Sequence, residues 1–327
     1  MLRAVKSSSL SLTTASLVFA AACGARSDLG VPAEQQQPPK GGEAGLGGGG
    51  STNDGGAPAI VGGMGGEGGM GGDGNEGGSP PECEPGTLLV YLVSQNDNLY
   101  RYNPATGALV LKGTLECDTM GNASPFSMSV DRVGRAYVVY TDGNLYRVDV
   151  GDASCEPTEY EPAQLDFFTF GMGFARDLEN ETDQLFVSDI SISGTPEALS
   201  QGLATIDTET MTLSLVGTYD TALTNRMEMT SSNDGNLYGF ALDQVSGGSI
   251  VRLDKTNADV LEQTFLPIGT PGAALAFAFW SDDFYIFTTG GNGTLVTRYR
   301  PADGSVVQTQ ELGDVIVGAG VSTCDPM

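Results

Sequence analysis

Five short segments of this chain alternate apolar and polar residues over four to six positions, which is the period of a half-buried β-strand. Most of them have arginine at the third position and end in aspartate or asparagine, directly before a turn. They begin at positions 99, 145, 203, 250 and 296, so the intervals are 46, 58, 47 and 46 residues. So regular an interval predicts a repeat architecture. The segments are Leu99–Asn103, Leu145–Asp149, Leu203–Asp207, Ile250–Asp254 and Val296–Arg300.

Further strand patterns flank each segment. A strand rich in aromatic and branched residues comes before it, an inner strand comes before that, and turns rich in Gly, Asp and Asn separate them. On the other side, a turn leads into a fourth strand, as in Ala108–Gly113 or Ser305–Gln310. The predicted second strands are Leu88–Val93, Ala136–Tyr140, Gln184–Val187, Leu237–Ala241 and Phe284–Thr288. The predicted inner strands are Phe126–Val130, Phe168–Phe174, Met227–Thr230 and Ala274–Trp280.

Four antiparallel strands in about 46 residues make one blade of a β-propeller. The first repeat lacks an inner strand, and the C-terminal segment Val315–Val321 has the pattern of one without partners of its own. We therefore expect this segment to complete the first blade and close the ring. The sequence predicts an all-β fold, a five-bladed propeller over residues 83–327. The alternative is six blades, with the sixth inside the insertion Ser191–Gly202 that lengthens one interval.

The N-terminal segment has the pattern of an export signal. Arg3 and Lys6 precede an apolar stretch too short to span a bilayer, so residues 1–22 are predicted to be a cleaved signal peptide. The stretch ends in Ala20-Ala21-Ala22-Cys23, which resembles a bacterial lipobox and implies lipidation of Cys23. Ordinary cleavage near the same alanines is the alternative. Residues 23–82 are dominated by glycine and predict a disordered tether, because they cannot bury enough apolar area to offset backbone entropy.

Three repeat segments resemble blades of the broad WD40-, YVTN- and quinoprotein-like propeller superfamily; they read NLYRYNPATG, DGNLYRVD and RYRPADG. The resemblance covers about residues 87–323 and implies the fold, not an activity. The lipobox, the glycine-rich tether and the terminal GAGVSTCDP are also similar to exported lipoproteins of myxobacteria. This similarity implies a cell-envelope location, in the outer membrane or at the cell surface.

The cysteines agree with export. If Cys23 carries lipid, four remain, and an even number suits an oxidising compartment. Four cysteines allow three pairings. Cys83 and Cys324 bracket the predicted domain, so a bond between them would clamp its ends, and Cys117 would then pair with Cys155. The sequence contains no histidine and no Cys-x-x-Cys spacing, which argues against a zinc site or a redox dithiol.

The charge balance excludes one class of partner. The chain has 15 basic and 41 acidic residues; removing residues 1–22 leaves 13 − 41 = −28. Such a charge repels nucleic-acid phosphates and anionic lipid surfaces. We expect no nucleic-acid partner, membrane contact only through the lipid anchor, and a monomer.

Carboxylates are the candidate chemistry. Glu228 lies within an inner strand, and Asp131, Asp177, Asp282 and Asp314 lie at or next to inner-strand ends. Two that converge could form a glycosidase-type pair or hold calcium; otherwise no cofactor is expected. Turn chemistry alone also explains most aspartates. We expect a surface-displayed, non-catalytic lipoprotein that binds a protein or glycan. The alternative is a carboxylate- or calcium-dependent hydrolase of saccharides or lactones that uses Glu228, Asp131 and Asp282.

Overall fold

The computed structural model describes residues 83–189, 202–219, 223, 227–243, 247–268, 274–290 and 293–324. The predicted signal peptide, Cys23, the tether and all of the insertion except Gly202 lie outside these residues. No helix in the described ranges is long and apolar enough to cross a membrane.

The described chain consists mainly of short strands, with 3-10 helices at Pro85–Leu88 and Gln164–Asp166. The strands are β1 (Val90–Ser94), β2 (Asn98–Asn103), β3 (Ala108–Thr114), β4 (Pro125–Val130), β5 (Arg135–Tyr140), β6 (Leu145–Asp149), β7 (Cys155–Pro157), β8 (Phe170–Asp177), β9 (Thr182–Asp189), β10 (Leu203–Ile206), β11 (Leu213–Gly217), β12 (Met227–Ser231), β13 (Leu237–Asp243), β14 (Gly247–Leu253), β15 (Val260–Leu266), β16 (Leu275–Trp280), β17 (Asp283–Gly290), β18 (Gly293–Arg300), β19 (Ser305–Leu312) and β20 (Ile316–Gly320).

These strands form five antiparallel four-stranded sheets, which are the blades of a propeller. Blade 1 has the order β20-β1-β2-β3, and blades 2 to 5 each use four consecutive strands. In blade 1, Leu92 of β1 lies opposite Ala319 of β20, so the C-terminal strand completes this blade as predicted. The inner strands β20, β4, β8, β12 and β16 contact one another around a closed ring. The five-bladed prediction is confirmed, and a sixth blade has no place in that ring.

The inner strands approach closely because the positions that face the next blade are small. Gly318 is one example, since a Cβ there would lie 2.7 Å from the backbone nitrogen of Met128. Hydroxyls fill other positions: Ser129 accepts the N–H of Phe174 at 3.0 Å, joining blades 2 and 3. The other small residues at these positions are Ser127, Gly171, Gly173, Ala276, Ala278 and Gly320. Bulky side chains on the opposite faces of the inner strands form five hydrophobic clusters between neighbouring blades.

The inner strands run in parallel, so the ring has two distinct faces. We call the face where they begin the top face. The bottom face is where they end, at the four inner turns 131–134, 178–181, 232–236 and 281–282. Cys83 is bonded to Cys324 and Cys117 to Cys155, which confirms the predicted pairing. Two such bonds are typical of domains that fold in an oxidising compartment, as in exported proteins.

Candidate functional site

Glu228 points toward the propeller axis. It occupies a position of β12 that faces the next blade, where the other four inner strands have serine, glycine or alanine. Its side chain is buried, and Oε2 accepts a hydrogen bond from Ser127 Oγ at 2.6 Å. Ser127 lies in blade 2 and Glu228 in blade 4, so this bond passes blade 3 and crosses the ring. A larger side chain is accommodated here because the facing residue is small.

The predicted acidic residues do not converge. Ser127, which lies opposite Glu228, precedes Asp131 by four residues, a rise of about 13 Å along a strand. Asp131 and Asp282 both belong to inner turns at the bottom face, in blades 2 and 5. The structure therefore separates Glu228 from the other two candidates.

Most of the turn aspartates hold their own turns together. Asp131 is largely buried and accepts the backbone N–H groups of Val133 and Arg135, together with an ion pair from Arg135 Nε at 2.9 Å. Asp177 accepts from Asn180, whose side-chain bond is the main reason that the pKa of Asp177 is lowered. Local turn chemistry explains both residues.

Asp314 has a comparable structural role at the top face. It precedes β20 and accepts hydrogen bonds from the side chains of Asn96, Asn98 and Tyr100, at 3.0 to 3.1 Å. These three donors belong to the β1–β2 hairpin, so Asp314 ties the closing strand to its own blade.

Asp282 is the exception among the inner-turn aspartates. Its exposed carboxylate has no hydrogen-bond or ion-pair partner in the part of the chain that the structure describes. Its two-residue turn has φ of 48° at Ser281 and 66° at Asp282, a conformation that favours Asn-Gly. Blades 2 and 4 place Gly134 and Gly235 at the positive-φ position of their inner turns. Aspartate adopts positive φ more readily than most residues, but hydrogen bonding within the described part of the chain does not explain it at this position.

Asp282 borders a cavity of about 420 Å³ between blades 4 and 5 at the bottom face, which we call the interblade cavity. This volume is within the range of small-molecule sites, about 300–1,000 Å³. Side chains of Tyr238, Phe279 and Phe284 supply its aromatic walls, and Asp234 supplies a second carboxylate. No lysine or arginine is among the described residues that line it.

The aromatic walls are held rigidly. Phe284 packs edge to face on both Tyr238 and Phe279, each with ring centroids 4.9 Å apart. It also stacks on Phe277 at 5.3 Å. Burial, followed by the negative charge of Asp234, raises the pKa of the Tyr238 phenol, which therefore stays protonated. Asp234 accepts hydrogen bonds from Ser232 and Asn236 in its own turn.

The sequence pattern singles out Asp282 but not Tyr238. It did not identify Phe279, Phe284 or Asp234 as a group. The cavity is built from three turns that are distant in the chain, and Asp282 is the one residue of its described lining that the sequence pattern marks as a candidate.

A second, smaller cavity of about 230 Å³ opens at the top face beside the axis. Phe126, Val315 and Val317 line it with uncharged polar groups such as Gln95 and Thr289. Thr289 Oγ1 already accepts the N–H of Ala274 at 2.8 Å. In the described residues no group of three or more acidic or cysteine side chains is placed to hold a metal ion.

Comparison with known proteins identifies no family. No family model matches the chain, and no curated protein matches it. A chain of the nidogen/laminin complex is 12% identical with a TM-score of 0.46, over 71% of this chain and 97% of that one. Luciferin-regenerating enzyme is 13% identical with a TM-score of 0.43, over 75% and 94%. A chain of the mitotic checkpoint complex is 14% identical with a TM-score of 0.38, over 80% and 77%. None of these similarities supports the transfer of a function.

Proposed function

We propose that this chain is a lipid-anchored binding protein of the bacterial cell envelope, whose propeller recognises an extracellular partner at the interblade cavity. The observation that carries the proposal is the carboxylate of Asp282, which has no partner in the described part of the chain and lies beside closely packed aromatic walls. An open cavity with aromatic surface and a few polar groups is the usual form of a ligand site. The signal segment and Cys23 supply the export and the anchor.

The geometry favours binding over hydrolysis. A glycosidase needs two carboxyl groups about 5–9.5 Å apart. Asp282 and Asp234 line one cavity, but Asp234 is committed to its own turn by bonds from Ser232 and Asn236. Glu228 is buried and bonded to Ser127 on the axis. The hydrolase alternative requires Glu228 to act on a substrate that enters along the axis from the top face.

A cavity-filling variant of the full chain tests the proposal. Ala302 lies at the cavity wall in an exposed turn, so Ala302→Trp should cover the opening without disturbing a core. The matched control is Ala105→Trp, since the turn Pro104–Gly107 of blade 1 corresponds to Pro301–Gly304 of blade 5. Purified protein is applied to arrays of glycans and peptides, and each bound probe is analysed by mass spectrometry.

We expect at least one class of probe to bind the parent protein and Ala105→Trp but not Ala302→Trp, and to be recovered intact. Probes that bind all three proteins equally, or no probes at all, would refute the cavity as the recognition site. Recovery of cleaved probe that depends on Glu228, tested with Glu228→Gln, would instead favour the hydrolase.

The anchor has a separate test. Cys23→Ser should move the protein from the membrane fraction to the soluble fraction of an expressing Gram-negative host, and should abolish incorporation of labelled palmitate. Membrane retention of Cys23→Ser would refute lipid anchoring and leave the cavity proposal intact.

A further inference from the structure

We propose that the interblade cavity binds an alkylammonium group, whether on a free amine, an amino sugar or a lysine side chain. This inference rests on the proposed function and names the chemistry that the cavity would recognise. Three observations support it: the charge of the cavity, the aromatic surface inside it and the unfavourable backbone conformation of the turn at its rim.

The charge of the cavity is negative. Asp282 and Asp234 line it, and Lys255, beside the turn of Asp234, is directed to the backbone carbonyl oxygens of Arg176 and Gly235, each at 2.8 Å. Arg300 and Arg298 both pair with Asp283, at 2.8 and 3.7 Å, and Arg252 pairs with Glu262 at 3.6 Å. The two carboxylates in the lining should disfavour an anionic ligand, whereas a cation would form an ion pair with Asp282.

The surface inside the cavity suits a cation with an apolar shell. Aromatic faces attract ammonium groups within about 6 Å of the ring centre, and quaternary or alkylated ammonium ions are the cations that such sites bind. Tyr238 is the most exposed of the three rings, while Phe279 and Phe284 are buried walls. Alkyl groups can therefore contact the walls while the positive charge faces Tyr238 and Asp282.

The turn of residues 281 and 282, which we call the rim turn, indicates that the charge of Asp282 has a role in binding. Non-glycine residues in sparsely populated backbone conformations are destabilising, and such residues are concentrated at binding sites. Asp131 and Asp177 lie in turns with the same position in blades 2 and 3, and there the carboxylates bond to the turn itself. Among the described residues Asp282 has no such bond, so its carboxylate can face a ligand.

The test measures charge selectivity with small probes on the full chain. Choline is compared with 3,3-dimethylbutan-1-ol, which has the same shape without the charge, by isothermal titration. We expect choline to bind at least about tenfold more tightly than the alcohol, a difference typical of a cation–π contact with an ion pair. We also expect high salt to weaken choline binding.

Four variants locate the binding. Asp282→Asn should weaken choline binding about fivefold or more, and Asp152→Asn, which removes one charge from another bottom-face turn, should change it less than twofold. Tyr238→Phe should retain binding, whereas Tyr238→Leu should lose about fivefold or more.

Three probe pairs distinguish the sources of the ammonium group. Glucosamine is compared with N-acetylglucosamine, a lysine tripeptide with its acetyl-lysine form, and butylamine with butanol. The pair with the largest difference in affinity identifies the source. Equal affinity for charged and neutral partners, or no effect of Asp282→Asn, would overturn the inference. If neutral probes bind in a manner that Ala302→Trp abolishes, the inference fails while the proposed function stands.

Discussion

Two junctions at the bottom face of the ring are built in opposite ways. The closing seam, formed by residues 83–87 and 321–324 with Arg132 and Asp183, is filled and cross-linked. Arg132 pairs with Asp183 at 2.6 Å, Ser322 donates to the carbonyl oxygen of Thr87 at 2.9 Å, and Cys83 is bonded to Cys324. The interblade cavity, between blades 4 and 5, is held by aromatic packing, and Asp282 has no partner there among the residues that the structure describes.

The two junctions therefore differ in the role that we give them: the closing seam stabilises the ring, and the interblade cavity is the proposed recognition site. At the closing seam every named polar group has a partner, as buried polar groups require. At the interblade cavity, polar groups and aromatic faces remain available to a ligand. Extra bonds are needed at the closing seam because the two ends of the propeller meet there. Blades 4 and 5 are already joined by the chain, so the junction between them can contain an open cavity.

The largest expected effect is at the buried ion pair of the closing seam. Arg132→Met leaves Asp183 buried without its partner and should lower the free energy of unfolding by about 3–5 kcal/mol. Denaturant unfolding measures this loss. The double variant Arg132→Met/Asp183→Leu should recover most of it, and a single variant as stable as the parent would contradict the role given to the pair.

The disulfide of the closing seam should contribute slightly less. Cys83→Ala/Cys324→Ala should lower the free energy of unfolding by about 2–5 kcal/mol, because the bond closes a very long loop. Cys117→Ala/Cys155→Ala is the control, since its residues are 38 apart rather than 241. Loop entropy predicts that it costs about 1.5 kcal/mol less. An equal or larger loss in the control would argue against chain closure as the source of stability.

The glycines of the inner ring should come next. Gly318→Ala places a methyl group 2.7 Å from the backbone nitrogen of Met128 and should cost about 1–3 kcal/mol. Gly313→Ala is the control, because a Cβ there meets nothing within 4 Å. Thermal unfolding of both variants measures the difference, and similar melting temperatures would show that the ring can relax at this contact.

The smallest effect should have the opposite sign and lies at the cavity. Ser281→Asn/Asp282→Gly gives the rim turn the residues that its backbone prefers and should raise the free energy of unfolding by about 1 kcal/mol. The same variant should lose ammonium binding. A variant that is stabilised and still binds choline would contradict the role of Asp282 in ammonium binding.

Much of the fold was predictable because each blade repeats the same periodicities. Aromatic second strands mark every blade and arginine-containing strands mark four of the five, and the unpartnered segment Val315–Val321 indicated ring closure. Boundaries were less accurate. The prediction Phe168–Phe174 differs from β8, Phe170–Asp177, because Phe168 is exposed and the polar residues Arg176 and Asp177 extend the pairing with β9.

The candidate site was less predictable for a geometric reason. The position of Glu228 in an inner strand followed from the pattern, but its bond to Ser127 depends on the ring diameter, which local sequence does not encode. Likewise, Asp282 was recognised as a turn residue, and only its lack of turn partners sets it apart from Asp131.

The bond between Cys83 and Cys324 also has a mechanical consequence. Any tension on the chain preceding Cys83 reaches two places at once: β1, through residues 84–89, and the end of β20, through the sulfur bridge. These strands are antiparallel neighbours in blade 1, and both are pulled from the bottom face along their length. Their hydrogen bonds to the rest of the ring are then loaded in shear and share the force. If Cys23 is lipidated as proposed, the propeller should therefore resist detachment by flow or by a bound partner better than one held by a single strand.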